Sequence, residues 1–142
     1  MIKIVAAILL VFGGAAYWLA TRPKSDAGLA PIAAEAKQYV RNLDLAEVDM
    51  KATDSFVSHR IVEINGKISN KGDRKVKLVE LTCIFSDPYG QPLSRERVAI
   101  VRPNKGGLSP GETKSFRLPF DQLPPAWNQR LPQLVIAQIE FQ

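Results

Sequence analysis

Cys83 and His59 are the chain's only cysteine and only histidine, and they are the one pairing that could supply a nucleophile with its base. Cys83 falls on the apolar side of an alternating strand pattern, which predicts a small buried core residue, not a reactive thiol. No segment suited to forming an oxyanion site accompanies it, and His59 reads as a surface residue at a strand entrance. A single histidine also removes a multi-histidine metal centre and a second proton relay of that type.

The carboxylates are dispersed. Glu47 and Asp49 share one face of an expected strand, where they read as the solvated alternates of a buried face and not as acid and base. Asp44, Asp49 and Asp54 lack the close spacing and glycine of a calcium loop. Gly106 and Gly107 precede no helix bearing a lysine and hydroxyl pair, so they do not form a phosphate loop. The expectation is no catalytic residue, no metal, no cofactor and no small-molecule substrate.

Two features point to contact with other molecules. Lys71, Arg74, Lys75 and Lys77 surround one expected hairpin, and Arg95, Arg97, Arg102 and Lys105 follow on the next strand and loop. Facing one way, they would meet lipid headgroups or an acidic partner. Asp73, Glu80 and Glu96 interrupt them, and charge at strand edges also blocks aggregation, which favours a solvated, edge-protecting role. No aromatic platform accompanies the charges, so nucleic acid is not expected. Trp127, in Pro124-Pro125-Ala126-Trp127, either closes one end of the fold as a lid or offers an aromatic anchor to a partner. The rigid prolines and the large apolar area of the ring favour the lid. Lys71, Arg74, Lys75, Lys77, Arg95, Arg97 and Trp127 are therefore the candidate partner or lipid contacts.

The elements that must position these residues follow from periodicity. Pro31 opens an expected amphipathic helix with Ile32, Ala36, Tyr39, Val40 and Leu43 on one face, which predicts a spacer helix docked on its own domain. Strands are expected through Leu45, Val48 and Met50, closing at Ala52; through Val62, Ile64, Gly66 and Ile68; and from Val76 to Phe85. Asn70 to Asp73 and Asp87-Pro88-Tyr89-Gly90 read as turns. A more polar edge strand holds Arg95 to Val101, Phe116, Leu118 and Phe120 alternate strictly, and a last strand spans Leu134 to Phe141. Six or seven short strands predict an antiparallel β-sandwich over residues 44–142, large enough to bury a core without disulfides.

Residues 1–24 read differently. Ile4 to Ala20 is an almost unbroken apolar run flanked by Lys3, Arg22 and Lys24. As a helix it would be about 25 Å long, near the short limit for a bilayer span. Gly14 and Ala16 offer a weak cleavage site, but Tyr17 and Trp18 fit an interfacial belt, which predicts a retained transmembrane anchor. Flanking charge is balanced; the very short N-terminal tail places the domain on the extracytoplasmic side. Three of the nineteen basic residues lie beside this run, so sixteen basic residues face all fourteen acidic ones from Ser25 onward. The excess of +5 thus belongs largely to anchoring. Residues 25–43 combine a short linker with the amphipathic helix.

The stretch "INGKISNKGDRKVKLVELTCIFSDPYGQPL" and the later "LSPGETKSF" resemble the FxLYD kind of Ig-like domain and related small membrane-anchored bacterial families of unknown function. The resemblance implies an Ig-like or fibronectin-like sandwich at the cell envelope and carries over no active site. The expected function is a single-pass envelope protein whose sandwich binds or scaffolds another envelope protein. The alternative is an accessory subunit of a membrane complex, acting through its transmembrane and amphipathic helices.

Overall fold

The structure is a computed structural model that describes residues 34–54 and 60–142 of the 142-residue chain. Strict alternation builds its two central strands. In β2 (Arg60–Asn70), Val62, Ile64, Gly66, Ile68 and Asn70 are buried; in β3 (Val76–Ser86), Val79, Leu81, Cys83 and Phe85 are. These rows face one another because successive side chains of a strand point to opposite sides. β1 (Leu43–Asp54) and β5 (Thr113–Phe120) flank β2 in an antiparallel sheet of order β1-β2-β5. β4 (Pro92–Val101) and β6 (Gln133–Phe141) flank β3 in a second antiparallel sheet of order β4-β3-β6. The protein is mainly β, a sandwich-like pair of three-stranded sheets over one shared core.

Three features differ from the sequence expectations. β1 runs on past Ala52 to Asp54, carried by its ladder with β2. The step of three from Leu45 to Val48 is a bulge opposite Gly66, with Glu47 at φ 51°. Glu47 and Asp49 therefore do not share a regular strand face, and the Glu47 carboxylate instead meets Lys67 Nζ at 2.6 Å. The expected helix ends earlier: α1 covers Ala34–Tyr39, a 3-10 turn covers Val40–Asn42, and Leu43 already belongs to β1. Pro31 and Ile32 lie outside the described residues.

α1 closes the side of the sandwich where β1 begins and β6 ends. Ala36 and Tyr39 are buried, and the Tyr39 ring meets Phe141 edge-on at 5.0 Å. The Tyr39 hydroxyl accepts the Arg74 N–H at 3.0 Å and lies 2.9 Å from Asn70 Oδ1, to which it donates. Asn70 is fully buried and fully used: Nδ2 donates to the Arg74 and Leu108 carbonyls at 2.7 and 3.2 Å, and Oδ1 also accepts the Gly72 N–H at 3.0 Å. A buried amide satisfied in this way ties α1, the β2–β3 turn and the β4–β5 connection into one corner.

Among the described residues no helix is long and apolar enough to cross a membrane. The expected anchor, residues 4–20, lies outside the described residues.

Candidate binding cleft

On the opposite side of the sandwich, β4 and β5 are edge strands of different sheets. Among the described residues β4 pairs with β3 alone and β5 with β2 alone. Between them lies a cleft of about 550 Å³. Its walls are apolar: Val98 and Ile100 are half-buried, and Val101, Phe116 and Leu118 are buried. Its rim carries Arg102, Lys105, Lys114 and Arg117; no carboxylate lines it, but Lys114 pairs with Glu112 at 3.6 Å and Arg117 with Glu63 at 2.5 Å beside it.

Local chemistry places this rim. After Arg102 the chain enters a 3-10 turn, Pro103–Lys105, which suits a proline at its start. Gly106 (φ 87°) ends that turn, and Gly107 (φ 63°) follows with its N–H on the Arg102 carbonyl at 3.1 Å. A Cβ at Gly107 would sit 2.6 Å from the Val76 carbonyl oxygen, so only glycine lets Leu108 reach Val76 and exchange two backbone bonds with it. These two glycines therefore serve backbone packing. In the following Ser109-Pro110-Gly111-Glu112 turn, Glu112 Oε2 accepts the Ser109 N–H at 2.7 Å, and that bond holds its carboxyl below the ordinary carboxylate range. Lys114 then donates Nζ to the Lys105 carbonyl at 2.8 Å, bridging the two strands' ends.

The cations singled out in the sequence do not gather on one surface. Lys71 pairs with Asp44 at 2.9 Å and Lys77 with Glu140 at 3.5 Å. Arg74 pairs with Glu35 and stands 3.6 Å over the Phe141 ring. Lys75 is half-buried at the same turn and makes no ion pair among the described residues. Arg97, on the outer face of its sheet, donates Nε to Glu80 and Nη2 to Gln138, each at 2.6 Å. Arg95 is exposed opposite Ile84 on that face. Only Arg102 and Lys105 of the eight reach the cleft. Lys114 and Arg117 were missed; the available signal was a lysine two residues before Phe116, on the inward-facing phase of an otherwise apolar alternation.

Trp127 does not present an anchor. It is 8 % exposed, its ring meets Phe85 edge-on at 5.7 Å, and it seals the end of the core beneath the β5–β6 connection. Cys83 is fully buried, and burial, followed by the Glu96 carboxylate, pushes its thiol up to about 11. His59 lies outside the described residues. Among the described residues no three metal-ligating side chains come together.

Comparison of the chain with protein-family models, characterised proteins and solved structures returns no match.

Proposed function

We propose that this chain is a tethered, non-catalytic binding module of the cell envelope. Ile4 to Ala20 anchors it in the membrane, and the sandwich, on the extracytoplasmic side, holds another envelope protein at the β4/β5 cleft. The observation that carries this reading is the open side itself, where two neighbouring strand edges flank apolar walls and a rim on which Arg102 and Lys105 make no ion pair among the described residues. Exposed edges with adjacent apolar surface are the usual template for strand-mediated association. The order β1-β2-β5 against β4-β3-β6 matches strands A-B-E and C′-C-F of an Ig-like sandwich, which supports the finer Ig-like or fibronectin-like assignment. An accessory-subunit role through the amphipathic helix is less well supported, because Ala36 and Tyr39 already spend its apolar face on the domain.

Photocrosslinking in native membranes tests the reading. A photoreactive residue at Ala99 or Ser115 of the full-length chain is expected to give a discrete heavier adduct, and one at Lys37 on α1 is expected to give none. Absence of adducts from 99 and 115, or equal adducts from 37, removes the cleft from consideration. Release of the intact chain into the aqueous fraction removes the tether.

A further inference from the structure

We infer that the cleft accepts an extended segment of the partner as an added strand on β5, and that this segment alternates apolar and acidic residues. The inference rests on the domain being a binding module. Its starting point is Pro119. A proline has no N–H, and within a sheet it sits where that group would face away from the ladder. The register of β5 with β2 is unbroken from Thr113 to Phe120. Backbone polar groups alternate direction along an antiparallel strand, so Ser115 and Arg117 share the orientation of Pro119 and turn their N–H and C=O to the open side. A chain laid there meets donors and acceptors at strand spacing.

β4 is the poorer template. Its ladder with β3 slips at Ile100, and it begins with Pro92 and carries Arg95 and Glu96 along its length, features that discourage pairing at an edge. A strand added to β5 would lie about 4.8 Å from it, over the cleft. Every second side chain of that strand would enter between Phe116 and Leu118 on one wall and Val98 and Ile100 on the other. The remaining side chains would lie on the face that Arg117 shares, and one end of the strand would approach Arg102 and Lys105. Lys114 pairs with Glu112 at 3.6 Å and Arg117 with Glu63 at 2.5 Å, whereas Arg102 and Lys105 make no ion pair among the described residues, so these two specify acidic residues on the segment. A second copy is the poorer occupant, since its own β5 edge, Thr113–Phe120, holds no carboxylate to meet Arg102 and Lys105.

The probes are a fluorescein-tagged decapeptide of alternating valine and glutamate and its valine–lysine counterpart, each titrated with the full-length chain. Expected are saturable binding of the acidic peptide at least tenfold tighter than of the basic one, weakening with added salt, and slowed amide exchange confined to residues 113–117. Ser115→Pro removes an outward donor without touching the β2 ladder and is expected to lower affinity at least fivefold, with an unchanged circular dichroism spectrum. Arg102→Glu with Lys105→Glu is expected to do the same, and decides the matter with the exchange map if Ser115→Pro loses its sheet spectrum. Equal affinity for both peptides, protection away from β5, or full affinity of a folded Ser115→Pro overturns the inference. So does a self-associated state in sedimentation that the acidic peptide does not dissolve. If crosslinks from 99 and 115 persist while the peptide leaves β5 unprotected, strand addition fails and the binding module stands; loss of the crosslinks removes both.

Discussion

The two sides on which the sheets leave a gap are finished in different ways. Where β1 begins and β6 ends, the chain uses its own helix: Tyr39 and Ala36 fill the gap, and Asn70 gathers the backbone around them. Where β4 runs past β5, Val98 and Ile100 remain half-buried beside an apolar cleft. Apolar surface removed from water stabilises by about 25 cal/mol per Å². Covering the first gap therefore contributes to folding; on the proposed reading, covering the second contributes to binding. Charge divides less sharply. Among the described residues, Lys71, Arg74 and Lys77 near the closed side each have a carboxylate and Lys75 has none; at the open side Lys114 and Arg117 pair with Glu112 and Glu63, whereas Arg102 and Lys105 make no ion pair among the described residues.

The strongest test of this contrast is on the closed side. Tyr39→Ala is expected to lower the unfolding free energy by about 3–4 kcal/mol in urea titration, because a buried ring and a satisfied hydroxyl are lost together. Asn70→Ala follows at about 3 kcal/mol, since the Gly72 N–H and the Arg74 and Leu108 carbonyls lose a buried partner. On the open side, Val98→Ala is expected to cost only about 1 kcal/mol, its side chain being half in water already. A cost equal to that of Tyr39→Ala would mean the cleft wall is ordinary core, and the contrast would be lost.

Titration gives two finer tests. Burial raises the folded-state thiol of Cys83 from 9.0 to about 11, so its protonated form stabilises the fold below pH 9.0 and that contribution disappears as pH rises through about 11. Cys83→Val is expected to flatten the alkaline loss of Tm in that window, and wild-type Cys83 is expected to resist a thiol reagent at neutral pH until urea is added. Glu112 shifts the other way. Its folded-state value lies below 4.5, so its contribution is present above pH 4.5 and is lost as pH falls through the lowered value. Glu112→Gln should show a small deficit in Tm at pH 7 that vanishes on acidification. A deficit independent of pH would show that the Ser109–Glu112 turn, which leads to Lys114 on the rim, does not depend on the charge.

Most of the strands could be read in the sequence because their inward residues recur at every second position: Val62, Ile64, Gly66 and Ile68, or Phe116, Leu118 and Phe120. β1 was readable in place but not in form, since its step of three between Leu45 and Val48 becomes a bulge only when Gly66 stands opposite. Gly66 itself is required by a distant residue, as a Cβ there would lie 2.6 Å from Phe116. The partners of the basic cluster were not legible for the same reason. Lys71 finds Asp44 from 27 residues away and Arg74 finds Glu35 from 39, and periodicity holds no record of such partners.

Composition and local order alone settled the alternating strands, the turns at Asn70 to Asp73 and Asp87 to Gly90, a lone thiol on an apolar face, and an apolar N-terminal run. Those features depend on neighbours one to four positions away, which is the range over which strand and turn geometry acts. Tertiary structure alone decided which strands became edges, which cations stayed unpaired and which side α1 left open. Sheet order and ion pairing join residues far apart in the chain, so the cleft between β4 and β5 exists only once both sheets have formed.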